Sequence, residues 1–360
     1  MKLNKYHSIY LYILLILSSC TEKNPNTIFI DLNKSMKILN YSSIFKDIEY
    51  INLDVGDECI LSGIKKICFD SDTIILQDSK SEGIFIFDKK ESKLVSHINK
   101  IGQGPEEYHK DNAIAVDTVC NYIHIYDMMN FKVNIYSYKG EYISSYKTDY
   151  FMRDFAWINN KLLIIQPCIN KVYKRNGVWF YSPKDKKETL LLEHNGDDQY
   201  FEFMSTYIEQ TGDNIYYYDR NDDCIYLIKN DSLSKLYEID LKQKISLDTR
   251  IVSAPKPEEL NQKSMMFDFS PSSHCFLICY FIFGEKENPY RYVLIDSKTK
   301  EKRVFNHLIN DMDSISFSDN KIFCINEQSW CRLSCQPENS KTVQLQVMYL
   351  RTSDFTLFSN

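Results

Sequence analysis

The sequence predicts an all-β fold, a six-bladed β-propeller with four-stranded antiparallel blades, on three observations. A strand–turn–strand unit recurs along the chain, the copies are spaced like propeller blades, and no sustained 3.6-residue apolar period competes with them. The clearest copies are Ile74-Ile75-Leu76-Gln77-Asp78, Ile123-His124-Ile125-Tyr126-Asp127 and Ile215-Tyr216-Tyr217-Tyr218-Asp219. Each ends in Asp, and five residues later a second run begins: Ile84 to Phe87, Val133 to Tyr136 and Ile225 to Ile228. The loops between are polar, so each pair reads as a hairpin. A third run follows at Leu94 to Ile98, Tyr142 to Tyr146 and Leu236 to Leu241, and another precedes each unit, as at Ile64 to Phe69 and Ala113 to Val119.

Weaker copies fill the remaining length. Leu162 to Gln166 pairs with Val178 to Tyr181, Phe276 to Phe283 with Tyr292 to Asp296, and Ile322 to Asn326 opens a sixth unit. Second strands then start near Thr73, Tyr122, Lys161, Asn214, His274 and Asn320, at separations of 49, 39, 53, 60 and 46 residues. Blades repeat at roughly 40–50 residues, so six fit. Asp47 to Leu53 is left over, and as an N-terminal strand completing the last blade it would close the ring. Ile28-Phe29-Ile30 is one further strand candidate within an expected tether, residues 20–40. The expected propeller is 41–360. Its end, 329–360, reads as irregular, because Arg332 falls where an apolar residue is expected and Cys331 to Cys335 lacks a strand pattern, although Thr342 to Leu350 alternates again and leaves a late strand open.

The N-terminus carries an export signal. Lys2 and Lys5 precede the apolar run Ile9 to Leu17, and Leu17-Ser18-Ser19-Cys20 has the form of a bacterial lipobox. The run is too short to span a bilayer, which takes about 20 apolar residues. Residues 1–19 are therefore expected to be a signal peptide and Cys20 the lipidated first residue of a chain tethered to a lipid bilayer. Thr21 follows, not Asp, which points to the outer membrane, periplasmic or surface-facing.

Composition narrows the function classes. The formal charge of −6 becomes −8 without Lys2 and Lys5, and with no basic block nucleic acid is not an expected partner. Tyr 26 and Phe 21 are abundant, which favours strands. Ten cysteines follow Cys20, mostly inside apolar strand patterns, as at Cys324, and read as small buried hydrophobes; no Cys-x2-Cys pair suggests zinc.

The segment Ile101-Gly102-Gln103-Gly104-Pro105-Glu106-Glu107-Tyr108 resembles the Gly-x-Gly-Pro-Gly-Glu-Tyr signature of six-bladed β-propeller lipoproteins of the Bacteroidota type, which are NHL-repeat-like. Ile44 to Leu53 is similar to their entry strand and Tyr138-Lys139-Gly140-Glu141-Tyr142 to a recurrent hairpin turn; Glu106 departs from the signature's Gly. These motifs are structural, so the resemblance implies a fold and not an activity.

Antiparallel blades place the second-to-third-strand loops and the blade crossovers at one mouth. Candidate ligand-binding residues there are Gln103, Glu107, Tyr108, His109, Asp127, Asp219 and Arg220, with Arg153 as an inner-strand residue able to bind a carboxylate or sulfate. A plainer reading of the repeated Asp78, Asp127 and Asp219 is that each closes a hairpin by accepting backbone N–H bonds. The opposite mouth, with turns such as Asp70-Ser71-Asp72 and Lys139-Gly140, is expected to be too tight for a site. No cofactor is predicted. Asp219-x-Asn221-x-Asp223 begins like a calcium loop, but Cys224 and Asn230 exclude an EF-hand, leaving a looser site for calcium or another divalent metal. The first function expected is a lipid-anchored envelope module that binds a glycan, a peptide or a partner envelope protein. The alternative is an enzyme sited in the funnel, a metal-assisted lyase or hydrolase of NHL-like type using His109 and His194; a Gly-x-Ser-x-Gly elbow is absent.

Overall fold

The structure is a computed structural model; it describes residues 26–56, 61, 63–81, 83–110, 112–149, 151–166, 177–193, 208–212, 214–219, 223–245, 256–313, 315, 321–334 and 342–351. Six sheets make up the fold, and the expected six-bladed propeller is the architecture observed.

Blade 1 is β4 (Ile64–Phe69), β5 (Thr73–Asp78), β6 (Ile84–Asp88) and β7 (Leu94–Ile98). Blade 2 is β8 (Ala113–Asp117), β9 (Tyr122–Asp127), β10 (Lys132–Ser137) and β11 (Tyr142–Lys147). Blade 3 is β12 (Asp154–Ile158), β13 (Lys161–Gln166), β14 (Gly177–Ser182) and β15 (Lys187–Glu193). Blade 4 is β16 (Ile208–Thr211), β17 (Asn214–Asp219), β18 (Cys224–Lys229) and β19 (Ser232–Leu241), with β1 (Thr27–Ile30) added parallel to β19. Blade 5 is β20 (Ser264–Pro271), β21 (Cys275–Ile282), β22 (Tyr290–Asp296) and β23 (Lys302–Ile309), with β2 (Met36–Asn40) added parallel to β23. Blade 6 is β24 (Phe323–Asn326), β25 (Ser329–Leu333), β26 (Thr342–Leu350) and β3 (Phe45–Asp54), the N-terminal strand that closes the ring.

The core lies between blades. Six apolar clusters occur, one at each blade–blade interface. Second strands are buried on both faces, and their period-2 alternation sorts side chains between two interfaces. On β17, Ile215 and Tyr217 pack toward blade 3, while Tyr216 and Tyr218 pack toward blade 5. On β21, Phe276, Ile278 and Tyr280 face blade 4, while Cys275, Leu277 and Cys279 face blade 6. That is why second strands read as unbroken apolar runs. Burying both faces of six such strands, at about 25 cal/mol per Å² of apolar surface, is the main stabilising contribution to the ring.

Three sequence expectations differ from the structure. In residues 26–40, read as tether with one strand candidate, that candidate is β1 on the rim of blade 4, with Ile28 and Ile30 in the core, while β2 on the rim of blade 5 has no counterpart among the expected strands. Residues 329–333, read as irregular, are a regular strand, and Thr342 to Leu350, left open as a late strand, is one as well. Arg332, which breaks the apolar pattern, is accommodated because its Nη1 donates to the Tyr41 hydroxyl at 2.6 Å. The run Ile322 to Asn326, read as a second strand, contains instead the innermost strand of blade 6, and β25 is the second. Seven described cysteines carry free thiols, five of them buried.

Candidate functional site

The innermost strands are laced to one another around the axis. Lys321 Nζ donates to Lys65 O at 2.9 Å, Lys65 Nζ to Asn112 O at 2.8 Å, and Lys66 Nζ to Ile114 O at 2.9 Å. Carboxylates do the same elsewhere. Asp154 accepts from Ile208 N at 3.3 Å, and Asp268 from Ile322 N at 2.9 Å. Charged side chains occur on these strands because the axis side has no sheet partner and the ends of long side chains can reach a neighbouring backbone.

Inside this ring lies a cavity of about 420 Å³. Its wall comes from β4, β8, β12 and β16 and from Lys321 to Ile325 at β24. Lys66, Cys68, Glu209 and Lys321 sit on the wall, with Trp157 among its aromatic residues. The indole of Trp157 stacks on the His124 imidazole, centroids 4.2 Å apart at 20°. The cavity extends to Asp70, Ser71, Thr118, Val119, Asn159 and Asn160, the first-to-second-strand turns. The end expected to lack room for a site is therefore the end the cavity reaches.

The electrostatics of the wall are uneven. Lys66 Nζ lies 3.5 Å from Asp154 Oδ1. Burial opposes the Lys66 charge, but Asp154 foremost outweighs it and raises the pKa. Burial pushes the Glu209 carboxyl up to about 8; Lys321 and Lys66 oppose that rise, and Asp268 and Asp154 add to it. The Glu209 carboxyl makes no hydrogen bond or ion pair among the described residues. Burial pushes the Cys68 thiol up to about 11, so it is a thiol and not a nucleophilic thiolate near neutral pH.

At the crossover mouth the candidate residues have mixed positions. Gln103 is exposed. Glu107 folds over Gly102 and Gly104, accepting from Gly104 N at 2.7 Å; a Cβ on Gly102 would lie 2.0 Å from its carboxylate. Tyr108 is fully buried and donates its hydroxyl to Ile98 O at 3.1 Å, so it is a core residue and offers no ring face to a ligand. His109 Nδ1 lies 3.2 Å from Asp127 Oδ2. Asp127 also accepts from Met129 N and Asn130 N at 3.0 and 3.2 Å, closing its hairpin. Burial alone would raise the Asp127 carboxyl, but hydrogen bonds from His109 and Asn130 hold it below its ordinary value. Asp78 closes its own hairpin the same way, accepting from Ser81 N at 2.6 Å. Asp219 is buried. Arg153 is half-buried beside the start of β12, its N–H on Ile165 O. Arg220, Asn221, His194 and Cys20 lie outside the described residues. Asp223 pairs with Lys244 at 2.7 Å. Among the described residues no three His, Cys, Asp or Glu side chains gather within reach of one metal ion, and no helix there is long and apolar enough to cross a membrane.

Sequence reasoning missed Lys66, Glu209 and Lys321. The available signal was charge at inner-strand positions of otherwise apolar runs: Lys65-Lys66 within Ile64 to Phe69, and Glu209 directly after Ile208.

Fold and channel together define a six-bladed β-propeller with a polar, partly enclosed axial cavity. Residues 26–343 match the DUF4934 family, a domain of unknown function, and the chain belongs to that family. No curated protein matches it. Among solved structures it is similar to a Bacteroides fragilis NCTC 9343 protein assigned as exported, with TM-score 0.69 and 15% identity over 90% of this chain and 99% of that one. It is also similar to a member of the DUF4221 family from Bacteroides vulgatus ATCC 8482, with TM-score 0.52 and 8% identity over 84% and 96%. At these identities the likeness concerns the fold.

Proposed function

We propose that this protein is a lipid-anchored envelope module of the outer membrane that binds a small ligand in its axial cavity. The observation that carries the reading is the cavity of about 420 Å³ with Glu209 on its wall, a carboxyl with no hydrogen-bond partner among the described residues in a ring whose other charged side chains are tied to backbone groups. Ligand pockets are concave, with few polar groups set in a rigid frame, and six interlocked blades provide that frame. The lipobox Leu17-Ser18-Ser19-Cys20 and the likeness to a protein assigned as exported support the envelope location.

Two measurements test this. Cys20→Ala should move the protein from the membrane fraction to the soluble one and abolish labelling by radioactive palmitate. Unchanged fractionation would remove the anchor from the proposal. A thermal-shift screen of small metabolites against the full chain should yield a stabilising ligand whose effect is lost in Glu209→Gln.

A further inference from the structure

We infer that the axial cavity takes a neutral saccharide of one or two rings, entering past Ser71, Thr118 and Asn159 and held at depth by Glu209 and Lys66. This rests on the reading of the cavity as a ligand site and names the class of ligand.

Size and charge argue for it together. The volume, about 420 Å³, lies at the small-ligand end of binding cavities and is far too small for a folded partner. Charges of both signs surround it: Lys65, Lys66 and Lys321 with Asp70 and Asp117 on the wall, and Asp154 3.5 Å from Lys66, while the Glu209 carboxyl, pushed up to about 8, is mostly neutral near pH 7. An anionic ligand drawn to the ammonium groups meets Asp70, Asp117 and Asp154, and a cationic ligand drawn to those carboxylates meets Lys66 and Lys321. Either brings uncompensated charge into a poorly solvated space, which is costly. A neutral ligand avoids that cost and exchanges hydrogen bonds only.

Hydroxyl groups fit the groups on offer. Glu209 has no partner among the described residues. Lys66 directs N–H groups to Ile114 O and Asp154 Oδ1, and an ammonium has three. A vicinal diol both donates and accepts, so one ring edge can satisfy a carboxyl and an ammonium together. The mouth adds neutral polar side chains, Asn160 and Gln210 beside those already named. The wall adds Trp157, whose ring is fixed by the His124 stack. Rigid aromatic surface packs against the C–H faces of sugar rings with little entropy lost on binding.

The test uses the full chain, extracted in detergent, on a glycan array with neutral, acidic and amino-sugar arms, followed by calorimetry with the best binder. Amino acids and dipeptides are titrated alongside. Neutral glycans should bind, and Glu209→Gln should weaken the best of them about tenfold. Val119 stands at the mouth and is 85% exposed, so Val119→Trp narrows the entrance without disturbing the core. That variant should also weaken binding about tenfold, while Gln103→Ala at the other mouth should leave it within twofold. Retained binding in a folded Val119→Trp variant would overturn the site. Binding confined to acidic or amino sugars, or to amino acids, with loss in Val119→Trp, would overturn the saccharide class while the cavity reading stands. Absence of binding by every probe in the array, the titrations and the metabolite screen would overturn both.

Discussion

Arg332 Nη1 donates a 2.6 Å hydrogen bond to the hydroxyl of Tyr41, and both side chains are buried. Arg332 belongs to β25 of blade 6, while Tyr41 lies in the short 3-10 turn Tyr41–Ser43 that leads into β3. The bond joins residues 291 apart in sequence, at the seam where the ring closes. Burial raises the Tyr41 pKa, with Arg332 working against that rise.

Tyr41→Phe should destabilise the protein by about 1–3 kcal/mol, because the buried guanidinium loses an acceptor. Arg332→Met should cost a similar amount. The double variant should cost less than the sum, with a coupling of about 0.5–3 kcal/mol in urea denaturation. Strict additivity would mean the seam does not depend on this bond.

Deleting residues 45–54 leaves β26 as an open edge along Thr342 to Leu350, and removes Leu53 from its cluster. Open edges pair with other chains. Size-exclusion chromatography with light scattering should show aggregates in place of the wild-type species. A monodisperse, thermally cooperative deletion variant would contradict the closure.

His124 gives a pH dependence of known sign. Burial lowers its pKa from 6.5 to about 4, so the unfolded chain binds the proton more readily. Its contribution is complete above pH 6.5 and is lost as pH falls through 4, by about 3 kcal/mol. His124→Phe, which keeps a ring against Trp157, should flatten the stability profile between pH 4 and 6.5. An unchanged profile would assign the acid sensitivity to other groups.

Glu209 acts in the opposite direction. Its folded pKa of about 8 exceeds the ordinary 4.5, so its contribution is present below pH 4.5 and is lost as pH rises through 8. Glu209→Gln should therefore melt at least ~2 °C above the wild type at pH 9 and close to it at pH 4. A gap of equal size at both values would mean the carboxyl titrates as if exposed.

Much of the ring was legible because second strands are buried on both faces. Ile74 to Asp78 and Ile215 to Asp219 announce themselves as apolar runs ended by a turn-closing Asp. Blade 6 was harder to read. Arg332 breaks the pattern of β25, and its partner Tyr41 is too distant in sequence to suggest compensation. The rim strands β1 and β2 were largely hidden for another reason. They pair in parallel with strands more than 200 residues away, so no local turn marks them, and Phe29, Met36 and Ile38 point outward. In the site, Asp127 drew attention through repetition, which reflects its hairpin. Glu209 occurs once, inside a short strand, and nothing local distinguishes it from a solvated residue.

The rim path of the N-terminus also sets an order of events. Leu32 N bonds Gln243 Oε1 across 211 residues, and β3 pairs with Thr342 to Leu350 near the far end of the chain. The strands β1 to β3 are thus among the last that can be fixed in place. Bringing them home costs loop-closure entropy that only the completed blades 4, 5 and 6 can offset. Until then those blades keep bare rims, and blade 6 has three of its four strands. A chain in which Thr342 to Leu350 is not yet available is in that state throughout, so closure of the ring waits for those residues. Unfinished molecules are the ones with edges open to chaperones, proteases and each other.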